Sequence, residues 1–482
     1  MDELFLSARP ESLAALDASL ATALQTLKAH YLRDDGVYSG QSPKAAAQAL
    51  AALDPCPDEG LGTVAALNQA APLVLGQSLR LFHPGSAAHL HCPPLIPTVA
   101  AETWIGATNP SLDSWDQAPV ATMLELSLCR WLARTFGYGE QGDGVFTSGG
   151  TQGNFMGLLF ARNRVGGPGL NQRGLPAEAT RWRILCSPYT HFSVQKSLAQ
   201  LGLGGDAAVV VAADAQRRLD PTATRTALRS LQGQGLLPIA IAATAGTTDY
   251  GSIDPLPALA DLATEFGVWL HVDAAYAGAL ILSNRERARL TGIERADSIT
   301  VDFHKLFFQP ISCSAFLVRD TAHFGLIRYN ADYLNPEDDD VDGFPNLVVK
   351  SVQTSRRFDA LKLWLSLRAV GRRRYAGMVE HVLDLTQALA AELQRRPKFT
   401  CLNPHPALST LLFQYDAGTL EPTHFHRQLA ERLLLKGWVN LGVTRADGQA
   451  ALKFTLLNPV ASLADYIAIL DQIESTAAEI CA

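Results

Sequence analysis

Apolar residues recur along this chain with two different patterns, and the change of pattern predicts where one structural segment ends and the next begins. Over about the first 80 residues, Ala and Leu recur at helical spacing with a Gly- and Pro-containing break near residues 54–62, which predicts a helical N-terminal segment. From about residue 90 to residue 347, short β-rich runs alternate with helical stretches. This alternation predicts βαβ units and a mostly parallel sheet flanked by helices.

Six runs in this middle stretch predict strands, at residues 183–186, 207–211, 239–243, 268–272, 298–301 and 315–318. One helix between strands has clear end signals, because Asp254 suits the N-cap, Pro255 the first helical position and Gly267 the position after the last turn. These signals predict a helix between residues 254 and 267.

The C-terminal part is predicted to be a smaller α+β domain. A helix is expected over residues 356–370, and short strands over residues 410–414 and 451–456. The polar, acidic stretch 335–343 predicts a mobile loop. We therefore predict a helical segment (1–90), a large domain (91–347) and a C-terminal small domain (348–482).

Composition and charge narrow the class of protein. Of the 482 residues, 48% are hydrophobic and 18% are charged, as in ordinary globular chains. The net charge of −7 argues against a nucleic-acid partner, which would need a basic face. No apolar run approaches the roughly 20 residues of a membrane span, and the acidic N-terminus does not resemble a signal peptide. We expect a cytoplasmic protein without a membrane partner.

The cysteines and histidines do not suggest a metal site. The 7 cysteines are scattered and form no C-x-x-C, and the 12 histidines form no H-E-x-x-H. This pattern is typical of reduced cytosolic thiols rather than of a disulfide framework or a zinc site.

The stretch S-I-T-V-D-F-H-K-L-F-F, residues 298–308, ends a β-rich run in Asp302 and continues to His304 and Lys305. A lysine at the end of a buried strand loses hydration of its ammonium form, which makes the neutral amine available for imine formation with an aldehyde. A single lysine in this setting is more often a surface residue, so Lys305 needs support from other motifs.

The stretch L-H-V-D-A-A-Y-A-G, residues 270–278, is an apolar strand that ends in Asp273. Ligands of open α/β sheets bind at the carboxyl ends of strands. Pyridoxal phosphate (PLP) needs a carboxylate against its pyridine nitrogen, because the protonated ring is an electron sink. Ala274 and Ala275 would let a flat ring approach the strand end. Alone, Asp273 would more often be a turn or cap residue.

Three further motifs precede these two. F-T-S-G-G-T-Q-G-N-F, residues 146–155, leads into a helix and predicts an anion site, although its spacing is not the dinucleotide fingerprint. His191 can stack on a flat cofactor and exchange protons near the reacting carbon, although a lone histidine is more often structural. The Thr/Gly turn in residues 243–255 can also line a site. The order of these motifs on successive βα units predicts one PLP site.

Together the motifs resemble the group II PLP-dependent amino-acid decarboxylases, relatives of the glutamate and aromatic-amino-acid decarboxylases. H-V-D-A-A-Y-A-G and D-F-H-K carry the resemblance, which extends from about Phe82 to the end. It implies an α/β fold of the fold type I PLP-dependent transferase class, with a central mostly parallel sheet flanked by helices. It also implies PLP as cofactor and an obligate homodimer with sites at the interface.

The resemblance implies roles for the residues around the PLP ring. Lys305 forms the Schiff base with PLP, Asp273 pairs with the pyridine nitrogen, Ala275 packs against the ring, and His191 stacks on the opposite face.

It also implies roles around the phosphate and in the loop. Gly150 and Thr151 hold the phosphate with help from His304, and Thr247 lines the cofactor site. Ser355 falls where relatives reach into the partner subunit's phosphate site, and Tyr333 matches the loop tyrosine that returns a proton to the α-carbon after CO2 leaves. Many relatives have Asn where this chain has Asp302, and an anion is unfavourable beside a phosphate, so whether Asp302 contacts the cofactor stays open.

Substrate preference is predicted from a closer resemblance. Residues 91–95, 111–116 and 191–197 resemble a bacterial branch that acts on diamino acids and supplies diamines for siderophores. The candidate pocket residues are polar or acidic and are His91, Cys92, Ser111, Asp113 and Asp116. The acidic loop 337–340 can attract a cationic substrate. The prediction is decarboxylation of lysine to cadaverine, followed by 2,4-diaminobutyrate to 1,3-diaminopropane or ornithine to putrescine.

Other functions stay open at this point. A glutamate, aspartate or aromatic amino-acid decarboxylase, an aminotransferase or a carbon–carbon lyase can use the same fold. A non-catalytic protein that retains the fold is a further alternative, against which the presence of Lys305, Asp273, His191 and Tyr333 argues.

Overall fold

The computed structural model describes residues 3–336, 338–339, 343–446 and 448–482. The α-helices, numbered α1 to α14 in chain order, are Pro10–Tyr31, Pro43–Ala51, Thr63–Gln77, Ile96–Thr108, Pro119–Thr135, Gly150–Gly166, Leu170–Arg173, Ser193–Gln200, Pro221–Gly233, Leu256–Phe266, Ala360–Val370, Arg372–Arg395, Pro422–Leu435 and Leu463–Cys481. The strands, β1 to β11, are Asp143–Thr147, Trp182–Cys186, Ala208–Val210, Leu237–Thr244, Trp269–Asp273, Ser298–Asp302, Ser314–Val318, Phe399–Cys401, Thr410–Tyr415, Gly442–Ala446 and Gln449–Thr455.

The chain divides into two compact units. One comprises residues 1–89, 388–404 and 412–482, and the other comprises residues 90–387 and 405–411. The division into 1–90, 91–347 and 348–482 stays a prediction. Among the helices of the described ranges, none has the length and apolar character needed to cross a bilayer.

The larger unit is built on a seven-stranded sheet with strand order β1-β7-β6-β5-β4-β2-β3. The neighbours from β6 through β5, β4 and β2 to β3 run parallel, whereas β7 pairs antiparallel with both β6 and β1. The sheet is therefore mixed, and the predicted α/β class with helices around a mainly parallel sheet is confirmed. Strand β1 was not among the predicted strands.

The core of this unit forms where the helix α6 packs on the sheet. Its apolar residues Met156 and Phe160 are fully buried, together with Trp269 of β5 and Phe316 of β7. Phe160 makes an edge-to-face contact with Phe316 at a centroid distance of 5.1 Å, which is a favourable aromatic geometry. This packing brings the start of α6 to the carboxyl ends of the parallel strands.

The helix predicted between residues 254 and 267 is present as α10, but its start differs from the prediction. Its N-cap is Pro255, and Gly267 ends it in the left-handed conformation at φ 66° as predicted. Asp254 does not cap the helix, because its carboxylate accepts the backbone N–H groups of Leu219 and Thr244, each at 2.7 Å. Asp254 instead ties the turn before α9 to the end of β4. Burial raises the pKa of this carboxyl to about 6.

The smaller unit contains the helices α1 to α3, which form the predicted helical N-terminal segment, and most of a four-stranded sheet of order β10-β11-β9-β8. Its last helix, α14, begins with a capping box in which Ser462 and Asp465 satisfy each other's backbone N–H groups. Its N-terminal stretch is tied to the same unit by backbone bonds from Val37 to Gly437 and from Thr455 to Ala87.

Candidate active site

A cavity of about 320 Å³ lies at the carboxyl ends of the parallel strands of the larger unit. Strands β4, β5 and β6 end at this edge in Thr244, Asp273 and Asp302, and α6 begins beside them. Predicted site residues found in its lining are Gly150, Thr151, His191, Asp273, Ala275, His304 and Lys305. Motifs separated widely in the sequence therefore meet at one edge of the sheet, where ligands of open α/β folds bind.

Asp273 is held in one orientation at the end of β5. Its Oδ1 accepts the backbone N–H of Ala275 at 3.1 Å, and its Oδ2 accepts the side-chain amide of Asn154 at 2.7 Å. The residue is only 7% exposed, so rotating the carboxylate away from both donors would leave it buried without partners. This arrangement holds an anion ready for a cationic ring nitrogen.

Lys305 forms an ion pair that was not predicted from the sequence. Its Nζ lies 2.8 Å from Oδ2 of Asp302, whose other oxygen accepts the hydroxyl of Ser314 at 2.6 Å. His304 Nε2 lies 3.6 Å from the same Asp302 oxygen. The Lys305 and His304 charges hold the pKa of the buried Asp302 carboxyl below its usual range, even though burial alone would raise it.

The start of α6 is a candidate anion site. Its N-cap is Gly149, and within the described part of the chain no side chain caps this end. The first N–H groups of a helix have no carbonyl partner within it, so those of Gly150 and Thr151 can bind phosphate oxygens. A Cβ atom on Gly150 would lie 3.0 Å from Asp302 Oδ2 and 3.3 Å from the Ala275 Cβ, so glycine permits this close approach.

His191 lies at the cavity wall with its Nδ1 turned to the protein. That nitrogen is 2.8 Å from the Ser193 hydroxyl and also accepts the Ser193 backbone N–H at 3.3 Å. Burial lowers the pKa of His191, although the Asp273 charge opposes this shift. This shift favours the neutral imidazole.

Two buried polar atoms of the cavity wall have no hydrogen-bond partner in the described part of the chain, namely Thr244 Oγ1 and Gln152 Nε2. Buried polar groups without partners are uncommon, and a bound ligand can supply the missing partners. Together with an amine, a strand-end carboxylate and an open helix start, they fit PLP. Lys305 would hold its aldehyde carbon, Asp273 its ring nitrogen and the α6 start its phosphate.

Thr247, the residue of the Thr/Gly turn predicted to line the cofactor site, is not in the cavity lining. Thr247 is buried, and its Oγ1 accepts the backbone N–H of Ser252 at 3.0 Å, so it stabilises the turn itself. Thr244 and Thr248 line the cavity instead. Because β4 ends at Thr244, the position of this residue at the strand end was the signal that sequence reasoning missed.

The predicted loop and partner-site residues lie elsewhere on the surface. Tyr333 is 88% exposed, and Ser355 is also exposed. Neither belongs to the cavity lining within this chain. Glu337 and Asp340 of the predicted acidic loop lie outside the described residues, whereas Asp339 accepts the Asn346 side-chain amide at 2.6 Å.

The predicted substrate pocket residues are likewise absent from the lining of this chain's cavity. Cys92 is buried with its thiol directed at the carbonyl of His304 at 3.4 Å, and burial raises its pKa to about 12. Asp113 is buried and accepts the Ser114 backbone N–H at 2.8 Å. Asp116 is exposed and accepts the Ser114 hydroxyl, and His91 is half-buried.

Comparison with known proteins decides the family. The profile of the pyridoxal-dependent decarboxylase conserved domain matches residues 75–416. The chain belongs to this family. It is 40% identical to the L-2,4-diaminobutyrate decarboxylase of Acinetobacter baumannii, over 98% of this chain and 94% of that protein. It is 43% identical to the L-2,4-diaminobutyrate decarboxylase of Rhizobium meliloti, over 92% of this chain and 88% of that protein.

Solved structures of related proteins have the same fold. The glutamate decarboxylase domain of the diaminobutyrate-pyruvate transaminase and L-2,4-diaminobutyrate decarboxylase from Vibrio parahaemolyticus matches with a TM-score of 0.91 and 38% identity, covering 99% of this chain and 98% of that chain. Mouse CSAD matches with a TM-score of 0.88 and 27% identity, covering 96% and 99% of the two chains. The decarboxylase is thus PLP-dependent, and the predicted family, cofactor and enzyme class are confirmed.

Proposed function

We propose that this decarboxylase acts on an L-diamino acid, with L-2,4-diaminobutyrate as the preferred substrate and 1,3-diaminopropane and CO2 as products. The observation that carries the proposal is the charge of the cavity. Among the described residues that line it, Lys305 is the only lysine or arginine, whereas Asp273 and Asp302 are acidic. A substrate with a distal carboxylate would need a further cation to bind it. A substrate with a distal amine does not.

The printed names of two relatives at 40% and 43% identity support 2,4-diaminobutyrate over the lysine that sequence reasoning favoured. Lysine and ornithine stay as competing substrates. They differ from 2,4-diaminobutyrate only in the number of methylenes, and one methylene changes discrimination by only about 1–3 kcal/mol.

The side chains of the cavity have distinct roles in the proposed reaction. When bound, PLP supplies the electron sink that stabilises the negative charge left on the α-carbon when CO2 departs. Asp273 would keep the ring nitrogen protonated, and Lys305 would bind the aldehyde carbon. His191 would cover the ring with a neutral imidazole, and Tyr333 would return a proton to the α-carbon.

The substrate is tested by kcat/KM for 2,4-diaminobutyrate, ornithine, lysine, glutamate, aspartate and tyrosine, with the amine products identified by mass spectrometry. We expect 2,4-diaminobutyrate to lead ornithine by about tenfold and the acidic and aromatic substrates by much more. A preference for lysine or ornithine would change the preferred substrate but keep the assignment to diamino acids. A preference for glutamate, aspartate or tyrosine would refute the proposal.

Tyr333→Phe tests the proton-return role. The hydroxyl is the only group removed, so PLP binding should be unchanged while correct protonation of the α-carbon is lost. We expect a larger share of transamination and oxidation products among the turnovers. Tyr329→Phe is the matched control, since Tyr329 is a second exposed tyrosine of the same segment and its hydroxyl donates to Asn171 O at 3.0 Å. Equal product ratios in both variants would argue against the role.

We further propose that the enzyme is a homodimer with sites at the interface. Tyr333, Ser355 and Asp116 are exposed and do not line their own chain's cavity, so they are available to a partner subunit's site. A cytoplasmic location and the supply of diamine for siderophore biosynthesis stay predictions from the sequence.

A further inference from the structure

A continuous run of hydrogen bonds leads from the interior of the sheet to two side chains of the cavity wall. Its members, in order, are Trp269, Ser298, His271, Asn154, Ser193 and His191, with Asp273 bound to Asn154. We call these residues the relay. Except for His191, each member is less than one-tenth exposed.

The proton positions at the inner end of the relay follow from Trp269. Its indole Nε1–H can only donate, and it donates to Ser298 Oγ at 2.9 Å. The Ser298 hydroxyl proton must then go to His271 Nδ1, also at 2.9 Å, because the described part of the chain gives this hydroxyl no other acceptor. His271 Nδ1 is therefore unprotonated, and its proton is on Nε2.

The outer end of the relay gives the same answer independently. The Asp273 carboxylate can only accept, so the Asn154 atom 2.7 Å from it is the amide nitrogen. The Asn154 oxygen then faces His271 Nε2 at 2.9 Å, which requires a proton on Nε2. Burial lowers the pKa of His271 to about 4, so the ring is neutral at pH 7.

The proton positions at His191 follow from the second N–H of the Asn154 amide. That N–H donates to Ser193 Oγ at 2.9 Å, and the Ser193 hydroxyl proton is left to point at His191 Nδ1 at 2.8 Å. The Ser193 backbone N–H also points at this nitrogen. Nδ1 of His191 is therefore an acceptor, and the proton of the neutral ring is on Nε2.

Two glycines of α6 allow the relay to form. A Cβ atom on Gly157 would lie 2.3 Å from His271 Nδ1, and one on Gly153 would lie 2.5 Å from Thr300 Oγ1. Side chains at these positions would push α6 away from β5 and β6. The Asn154 amide would then no longer reach both His271 and Asp273.

We propose that the relay is a positioning device that fixes the Asp273 carboxylate and locks His191 as its neutral Nε2–H tautomer. His191 then presents an N–H donor to the cavity, not a basic nitrogen. Protonating its Nδ1 would direct an added donor at Ser193 Oγ, which already accepts from Asn154, and would leave the serine proton without an acceptor. The proposal rests on the cofactor and not on the choice of substrate, so another preferred substrate would leave it intact.

The Asp273 arm is tested with Asn154→Asp. A carboxylate at position 154 can replace the donor to Asp273 only while the two carboxylates share a proton. We expect its PLP affinity, relative to wild type, to fall by about tenfold for each pH unit above the pKa of that shared proton, and to recover at lower pH. Affinity and the visible spectrum of the bound cofactor are measured across this pH range.

Asn163→Asp is the matched control for this arm. Asn163 lies in the same helix and is 2% exposed, compared with 1% for Asn154, but its amide donates to Leu326 O at 2.8 Å, away from the cavity. Its pH profile should follow wild type. The proposal is overturned if the profiles of Asn154→Asp and Asn163→Asp run parallel.

The His191 arm is tested with Ser193→Ala. This variant removes only one hydroxyl, so it provides a test that does not depend on the folding of Asn154→Asp. Diethyl pyrocarbonate acylates an unprotonated imidazole nitrogen, and in the relay the only such nitrogen of His191 is covered by Ser193. In the protein freed of cofactor, we expect the His191 peptide to react about tenfold faster in Ser193→Ala than in wild type, because one hydrogen bond is lost.

The control is Ser197→Ala, one turn further along α8. Ser197 is also fully buried, and its hydroxyl has no partner in the described part of the chain, so the rate at His191 should not change. Exposed His424 provides the reference rate within each sample. If His191 reacts as fast as His424 in the wild type, or if Ser193→Ala leaves its rate unchanged, the tautomer lock does not exist.

Discussion

Lys305→Ala is expected to abolish covalent binding of PLP and to lower kcat by several orders of magnitude. Lys305 supplies the only lysine amine among the described residues that line the cavity, so no neighbouring group can take its place at the aldehyde carbon. Treatment of the wild type with borohydride, followed by peptide mass spectrometry, should tag Lys305. The variant should show no tag and no visible absorbance of covalently bound cofactor.

Lys196→Ala is the control, because Lys196 is an exposed lysine of the helix α8 and its loss should leave cofactor and turnover intact. Lys305→Ala also leaves Asp302, which is 3% exposed, without the cation 2.8 Å from it. Removing one partner of a buried pair costs about 3–5 kcal/mol. The double variant Lys305→Ala/Asp302→Asn removes that charge and separates loss of chemistry from loss of folding. A borohydride tag on another lysine would refute the assignment.

The sequence was sufficient for features that depend on chain neighbours. His304 and Lys305 follow a buried strand directly, and Asp273 ends another, so strand-end position and residue type together predicted the cofactor edge. The same logic fails when a residue acts across the fold. Asn154 was read only as part of a glycine-rich loop, yet it bonds to residues more than 100 positions away, His271 and Asp273. No local pattern contains that pairing.

Errors of the sequence reasoning have a common physical origin. Asp254 looked like an N-cap because it precedes Pro255, but a backbone N–H from Leu219, far along the chain, competes for its carboxylate. Strand β1 was overlooked because its five residues merge into the glycine-rich loop, and it pairs only with β7, a partner much later in the sequence. In each case a long-range hydrogen bond decided the outcome over a local preference.

Asp273→Asn is the second change with a large expected effect, and it separates cofactor binding from cofactor activation. The neutral amide should still bind PLP through the phosphate site and Lys305, but it cannot hold the ring nitrogen protonated. The negative charge on the α-carbon then loses its electron sink, and we expect kcat to fall by about 10² or more. Bound cofactor is measured by absorbance and kcat by amine release.

The amide also faces two donors, from Asn154 and the backbone of Ala275, of which it can accept only one well, at a cost of about 1–3 kcal/mol in stability. Asp297→Asn controls for this cost. Asp297 is 8% exposed, compared with 7% for Asp273, and it accepts the Leu270 N–H at the opposite end of β5. It should lose stability but keep kcat. A PLP analogue methylated on the ring nitrogen carries a fixed positive charge, so it should restore part of the Asp273→Asn rate. Near-normal turnover of this variant with ordinary PLP would show that the carboxylate does not control the ring.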